Sequence, residues 1–132
     1  MKAIASSRSS AIQIGSMLKC ADNSGANLLQ VISILGFKGK RRTRPNGGIA
    51  DLIVCRVATG NEKMRHEVSK AVVVRQKKEY RRANGMRVQF EDNAAVLVND
   101  KYDPTATLIK GPIAREVSDR FKTVGKIASI VV

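Results

Sequence analysis

The chain from residue 71 to residue 98 reads Ala71-Val-Val-Val-Arg-Gln-Lys-Lys-Glu-Tyr-Arg-Arg-Ala-Asn-Gly-Met-Arg-Val-Gln-Phe-Glu-Asp-Asn-Ala-Ala-Val-Leu-Val98, and this stretch decides the fold. An apolar run stands at each end, and Asn84-Gly85 between them is a preferred pair for a two-residue type I′ hairpin turn. Such a turn would place Arg82 opposite Arg87, a like-charge pair that costs stability unless an anion lies between them. The stretch therefore predicts a β-ribbon, rooted in two buried strands, whose cationic tip binds a polyanion.

Strand-like runs on both sides of this ribbon predict a small barrel. The runs are short, largely apolar and separated by turns that contain glycine, which is typical of an all-β barrel whose closure removes exposed edges. We expect five strands, within Ile12–Cys20, Leu28–Leu35, Leu52–Ala58, Ala71–Val74 and Ala94–Val98.

The two ends of the chain differ from this barrel pattern. Residues 1–10 are small, Ser-rich and weakly basic, and they predict a mobile tail. Pro112 stands at the first position of a predicted short amphipathic helix, in which Ile113, Val117 and Phe121 recur every four residues. The apolar residues 126–132 fit either a second helical turn or a final strand. We expect one domain over residues 1–132, with residues 111–132 as its C-terminal helical part.

Charge indicates the class of partner. The 132 residues include 24 Lys and Arg against 11 Asp and Glu, giving a formal net charge of +13. Nucleic acid is the first partner for such an excess, and an anionic membrane is the second. No apolar run is long enough to span a membrane, and the N-terminus lacks the apolar segment of a signal peptide. Cys20 and Cys55 stand alone, which predicts free thiols in the reducing cytoplasm.

The densest run of positive charge lies between the second and third predicted strands, from Lys38 to Arg44. No acidic residue interrupts it, so we expect it to bind phosphates. Together with the ribbon it would form one broad basic surface, provided that both leave the same side of the barrel. The residues that we assign to RNA phosphates are Lys38, Lys40, Arg41, Arg42, Arg44, Arg75, Lys77, Lys78, Arg81, Arg82 and Arg87.

The sequence gives little support for base stacking, catalysis or metal binding. The few aromatic side chains form no stacking platform, which favours contact with the phosphate backbone over reading of bases. His66 is the only histidine, no nucleophile has a matched base, and no metal-ligand cluster appears. We therefore expect no enzyme activity, cofactor, metal or small-molecule substrate. The alternatives are a free-standing RNA-binding barrel or RNA chaperone, and a nuclease that uses Asp22, Asp51 or Asp92.

Several motifs resemble the family of the universal large-subunit ribosomal protein fourteen, called twenty-three in older eukaryotic naming. The family signature is matched by Ala71–Val74, Asn84-Gly85, Phe90, Asn93 and Val96-Leu97 at its full spacing, with Cys20–Ala26 and Gly111–Glu116 as flanking motifs. The longer connections and Met64-Arg65 resemble the archaeal and eukaryotic branch. One departure is Ala50-Asp51, where family members usually have Gly-Asp, and it leaves the turn geometry near Gly48 open.

The resemblance implies a five-stranded β-barrel with a projecting ribbon and a small C-terminal helical region. It also implies a structural role in the cytoplasmic ribosome: binding to large-subunit rRNA, a bridge to small-subunit rRNA, and contacts with neighbouring ribosomal proteins. Family members meet an anti-association factor through their C-terminal region. We therefore expect the polar face of the C-terminal helix to contact a protein partner, through Arg115, Glu116, Asp119, Arg120 and Lys122.

Overall fold

A computed structural model describes residues 2–7 and 9–132, so Met1 and Arg8 of the predicted tail lie outside the described residues. The elements in chain order are β1 (Ile12–Gln13), β2 (Met17–Cys20), β3 (Ala26–Ile34), β4 (Asn46–Gly47), β5 (Leu52–Gly60), β6 (Val68–Arg75), β7 (Tyr80–Arg81), β8 (Arg87–Val88), β9 (Ala94–Val98), β10 (Ile109–Ile113), α1 (Arg115–Arg120), α2 (Lys122–Ile127) and β11 (Ala128–Val131).

Five strands close into a barrel in the order β2, β3, β5, β6, β9. Neighbouring strands are antiparallel except β2 and β9, which pair in parallel with Lys19 opposite Ala94 and so close the barrel. This confirms the predicted barrel. The first predicted strand is shorter than expected, because Gly15 takes a φ of +86° in a turn that separates β1 from β2.

Strands β6 and β9 are apolar on both faces because each face packs into a different core. Val73 and Leu97 point into the barrel, where they pack with residues of β3 and β5. Val72 and Val96 point outward and are covered by β10, α1 and α2. Each of these four side chains is at most 1% exposed. The C-terminal part therefore belongs to the folded unit, because without it a wall of the barrel would expose valine side chains to water.

The C-terminal helix begins later than the sequence predicts. Residues up to Ile113 are extended, because β10 pairs in parallel with β11 and the N–H of Ala114 donates to the Val74 carbonyl. Pro112 therefore lies in a strand, and its predicted position at the start of the helix is wrong. Val117 and Phe121 are buried as predicted. The open alternatives for residues 126–132 both occur, since α2 ends at Ile127 and β11 follows it.

Residues 75–93 form the projecting ribbon, which we call the finger. Its β7–β8 pairing sets Tyr80 opposite Val88 and Arg81 opposite Arg87, so the predicted opposition of Arg82 and Arg87 is wrong. The turn is a three-residue loop, closed by hydrogen bonds from the Arg82 N–H to Met86 and from the Gly85 N–H to Arg82. Gly85 has a φ of +86°, whereas Asn84 is not in the left-handed region that a type I′ turn needs.

The described part of the N-terminal tail lies against the finger. Ser7 forms a β-bridge with Arg81, and the Ser9 hydroxyl donates to the Glu79 carbonyl at 2.7 Å. The side chain of Gln76 donates to the Ser9 hydroxyl at 2.9 Å. The predicted mobility of residues 1–10 stays a prediction.

The turn before β5 contains the residue that departs from the family pattern. Ala50 is fully buried and has a φ of +61°, the left-handed conformation in which glycine is favoured. A side chain there costs about 1–2 kcal/mol. The turn is held by the N–H of Ala50, which donates to the Val73 carbonyl at 2.9 Å, and by the Asp51 carboxylate, which accepts from the Gly48 N–H at 2.8 Å. The turn therefore keeps its glycine-like shape with alanine in place.

Candidate nucleic-acid interface

The basic loop and the finger leave the barrel at the same end. Strand β3 ends there and the basic loop leads into β5, because Ile34 pairs with Ile53. The pairing of Leu52 with Val72 sets the end of β6 beside the start of β5. The finger therefore begins next to the basic loop. We call this the basic end of the barrel, and the condition for one broad basic surface is met.

A buried glutamine ties the two segments together. The side-chain oxygen of Gln76 accepts the Ile49 N–H at 2.9 Å, just after the basic loop. Its amide nitrogen donates to the Lys78 carbonyl at 2.7 Å, in the finger. Gln76 is fully buried, and its role was not predicted from the sequence. The one signal available was a polar residue directly after a buried strand, and this does not distinguish Gln76 from its cationic neighbours.

The five cationic side chains of the basic loop have no partner among the residues that the structure describes. All of them are exposed, and none makes an ion pair or a side-chain hydrogen bond with any residue that the structure describes. The strand pairs that flank the loop hold its ends, while its tip extends into water. A cluster of like charges without partners destabilises the isolated protein and favours binding of an anion. These residues are Lys38, Lys40, Arg41, Arg42 and Arg44.

The finger cations fall into two groups. Lys77, Lys78, Arg81 and Arg87 are exposed. Of these four, Arg87 has an ionic partner, the Glu79 carboxylate at 2.6 Å, in a pair exposed enough to be exchanged for a phosphate. The other three make no ion pair with the described residues.

Arg75 points into the protein. Its Nε donates to the Asp92 carboxylate at 2.8 Å, and its Nη1 donates to the carbonyls of Lys110 and Pro112, each at 3.0 Å. The side chain is 11% exposed, so few of its donors remain for an RNA. Gly111, with a φ of +80°, lies so close that a β-carbon there would be 3.0 Å from the guanidinium. Arg75 thus joins the root of the finger to β10.

Arg82 also points inward, because the one-residue change in register moves it to the face of the finger that packs on α1. Its Nε donates to the Glu116 carboxylate at 2.8 Å, and the Tyr80 hydroxyl donates to the same carboxylate at 2.8 Å. Burial alone would raise the pKa of Glu116, but the hydrogen bonds from Arg82, the backbone, Tyr80 and Ser6 outweigh it, and the pKa lies below its ordinary value of 4.5. Burial, followed by the hydrogen bond to Glu116, raises the pKa of Tyr80.

The five residues expected to contact a protein partner also differ in their exposure to solvent. Arg115, Asp119 and Lys122 are exposed. Glu116 is buried in the contacts with Arg82 and Tyr80. Arg120 donates to the Ala50 carbonyl at 3.0 Å and lies over the ring of Phe121. The arrangement leaves three of the five side chains accessible to a partner.

Asp22, one of the acids considered for a nuclease, is hydrogen-bonded within the protein. Asp22 is 3% exposed and accepts from the Leu97 N–H at 2.9 Å, from the Ser24 N–H at 3.0 Å and from the Cys20 thiol at 3.1 Å. Burial, and then the charge of Asp22, raises the pKa of the Cys20 thiol and of the Cys55 thiol, each to about 12. Both cysteines are free thiols, as predicted.

Among residues 2–7 and 9–132, no group of three or more His, Cys, Asp or Glu side chains is placed to hold a metal ion. No helix in the same residues is long and apolar enough to cross a membrane.

The fold and its surface define a class, a small basic β-barrel protein with a cationic finger and loop at one end. Residues 11–132 match the model of the family described as ribosomal protein L14p/L23e. The chain belongs to this family. The protein from Methanocorpusculum labreanum named large ribosomal subunit protein uL14 is 47% identical over 132 residues, which is 100% of both chains.

Two further relatives carry the same name. The one from Methanoregula boonei is 47% identical and the one from Halorubrum lacusprofundi is 46% identical, each over 132 residues and 100% of both chains. These findings confirm the resemblance drawn from the signature in residues 71–98. The chain is a structural protein of the large ribosomal subunit and not an enzyme, and its location is the cytoplasmic ribosome.

Proposed function

We propose that this protein binds large-subunit rRNA through the basic end of its barrel. The observation that carries the proposal is the set of exposed cations in two segments that leave the barrel side by side. All of them except Arg87 lack an ionic partner among the described residues. The residues proposed to contact phosphates are Lys38, Lys40, Arg41, Arg42 and Arg44 of the basic loop, and Lys77, Lys78, Arg81 and Arg87 of the finger. Arg75 and Arg82 are left out because their guanidinium groups have partners within the protein.

The aromatic side chains support contact with the phosphate backbone. Tyr80, Phe90 and Phe121 are buried, so they offer no face to a base. Of the other two aromatic side chains, Phe37 is half-buried against the barrel core, and Tyr102 is partly exposed but packs edge to face on Phe121. Because single-strand binders stack bases on exposed aromatic rings, this surface fits folded RNA recognised by its shape and charge.

Membership of the L14p/L23e family supports two further roles, contact with a protein neighbour and a bridge between the subunits. We propose that the exposed residues of the C-terminal helices, Arg115, Asp119 and Lys122, contact a protein neighbour, with an anti-association factor as a further partner of this region. We also propose that the protein lies on the face of the large subunit that meets the small subunit, where it bridges to small-subunit rRNA. Charge reversal by Arg115→Glu with Lys122→Glu should weaken capture of the protein partner more than it weakens rRNA binding, since neither residue is among the proposed phosphate contacts.

The RNA proposal is tested by binding to large-subunit rRNA fragments across a salt series. Each phosphate contact contributes roughly 0.7–0.9 to the slope of log K against log salt. Replacing Lys40, Arg41 and Arg42 with glutamine should therefore lower the slope by about 2. The matched control replaces Lys63, Arg65 and Lys101, three exposed cations in the loops at the other end of the barrel.

The control has the same net charge as the variant, so it separates location from total charge. We expect the control to change the slope by well under 1 unit. Equal changes in both variants would mean that charge acts without a defined surface, and the proposal would then be wrong.

A further inference from the structure

Glu116 is a buried acidic side chain that the RNA surface itself does not use. It lies in α1 and is 7% exposed. One carboxylate oxygen accepts from the Ser6 hydroxyl at 2.9 Å and from Nε of Arg82 at 2.8 Å. The other accepts from the Tyr80 hydroxyl at 2.8 Å and from Nη2 of Arg82 at 3.3 Å. One carboxylate thus joins the N-terminal tail, the finger and the C-terminal helix.

The partners of Glu116 occupy one face of a single finger arm. Tyr80 and Arg82 are two residues apart in an extended segment, so they point to the same side, and Arg81 points to the other. Tyr80 and Arg82 face α1, while Arg81 is exposed. Nη2 of Arg82 also donates to the Tyr80 hydroxyl at 3.2 Å and to the main-chain oxygen of Val132.

We propose that Glu116 is a positioning residue for RNA binding: it holds the inner face of the finger on α1 and thereby directs Arg81 and its cationic neighbours toward the RNA. This inference rests on the proposed rRNA-binding function and adds an acidic residue to it. Without Glu116 the guanidinium of Arg82 would lose its ionic partner, and the β7–β8 pair has only two residues in each strand to hold its register. The finger would then have to be ordered when RNA binds.

The proposal predicts an effect opposite in sign to that of net charge. Glu116→Gln removes a negative charge from a protein of net charge +13, which by long-range electrostatics should strengthen RNA binding. We expect binding to weaken instead by about five- to thirtyfold, because ordering one backbone residue on binding costs about that much affinity. The salt slope should stay within about 0.5 units, since no phosphate contact is removed.

The matched control is Glu62→Gln, which makes the same substitution at an exposed position in the loop of residues 61–67, outside the proposed binding surfaces. It should leave RNA affinity unchanged or slightly higher. Tyr80→Phe is a milder second variant, which removes the hydrogen bonds of the Tyr80 hydroxyl with Glu116 and Arg82 and keeps the ion pair between those two residues. It should weaken binding by about two- to threefold, and it keeps the test decisive if Glu116→Gln does not fold.

Hydrogen exchange in the free full-length protein tests positioning independently of RNA. In Glu116→Gln, the Arg82 N–H, which bonds to Met86, should lose protection by about tenfold or more, while the barrel N–H of Val73 keeps its protection. Equal loss at both amides would mean a general loss of stability and would overturn the proposal.

A second result of the RNA-binding measurement would also contradict the proposal. Tighter RNA binding by Glu116→Gln with a steeper salt slope would show that Arg82 is an RNA contact held back by Glu116, and positioning would be wrong. If the wild-type protein did not bind the rRNA fragments, the proposed function would fail, but the exchange result would still decide whether Glu116 orders the finger.

Discussion

Replacing Arg75 with methionine separates the cations that hold the fold from those that we assign to RNA. Methionine keeps much of the length of the side chain and removes every donor. Arg75 is close in sequence to Lys77, and the charge pattern of the sequence predicts phosphate contact for both. In the structure Arg75 is buried against Asp92 and two carbonyls of β10, whereas Lys77 is exposed. The two residues should therefore respond in opposite ways in two assays.

The size of the stability loss follows from the contacts of Arg75. The two hydrogen bonds to carbonyls contribute about 1 kcal/mol each, and the charged bond to Asp92 contributes about 1.5–3 kcal/mol. The Asp92 side chain is 24% exposed and has the ammonium group of Lys19 at 3.7 Å, so water and Lys19 compensate part of the interaction that Asp92 loses with Arg75. We expect Arg75→Met to destabilise the protein by about 3 kcal/mol. For a domain of this size, that loss lowers the melting temperature by about 10 °C.

The assay combines urea unfolding, followed by circular dichroism, with RNA binding across a salt series. Lys77→Met is the matched control, since it makes the same substitution two residues away. It should change stability by less than about 0.5 kcal/mol and lower the salt slope by roughly 0.7–0.9. Arg75→Met should leave the slope unchanged under conditions where the variant is folded. A stable Arg75→Met protein with a reduced slope would refute the reasoning, because Arg75 would then be a phosphate contact.

Two further predictions concern groups that the RNA surface does not include. Asp22→Ala should destabilise the barrel by about 2–4 kcal/mol in the same unfolding assay, because the buried N–H of Leu97 loses its acceptor. The control is Asp100→Ala, which removes an exposed acidic side chain. An equal effect of both substitutions would contradict the role of Asp22. Cys20 and Cys55 should react with a thiol reagent at pH 8 far more slowly in the folded protein than in urea, since burial raises their pKa to about 12; equal rates would show that the thiols are not protected.

The barrel could be predicted from the sequence because its strands carry local signals. Apolar runs bounded by glycine and polar turns marked all five barrel strands. The run Ala71–Val74 shows the limit of this signal. Its continuous apolar character indicates burial on both faces, and the amphipathic C-terminal helix was expected to pack on the barrel. That this helix covers β6 and β9, together with β10 and α2, is seen only in the structure.

The finger shows how a one-residue error in a turn changes the assignment of function. Asn84-Gly85 favoured a two-residue turn, but Ala83 joins the loop, so that Arg81 instead of Arg82 faces Arg87. Since side chains alternate along a strand, this shift turns Arg82 inward, onto Glu116. No local feature of the sequence reports the buried carboxylate that stabilises this register, because Glu116 lies more than thirty residues further along the chain.

The charge of the basic loop could be predicted from the sequence, but its position beside the finger could not. The run from Lys38 to Arg44 indicated a phosphate-binding segment, and its side chains are exposed as that role requires. That the loop and the finger share one end of the barrel follows from strand pairing, which brings residues near 34 and 52 beside those near 72. Such pairings are long-range, and composition does not contain them.

The central claim is that the basic end of the barrel faces rRNA. The most direct measurement is photochemical crosslinking of protein to RNA in intact large subunits, with the crosslinked peptides mapped by mass spectrometry. The account predicts crosslinks concentrated in residues 38–44 and 77–87. The loop of residues 61–67, at the other end of the barrel, also carries exposed cations and serves as the internal comparison. Crosslinks that cluster in residues 61–67 and are missing from residues 38–44 would contradict the account.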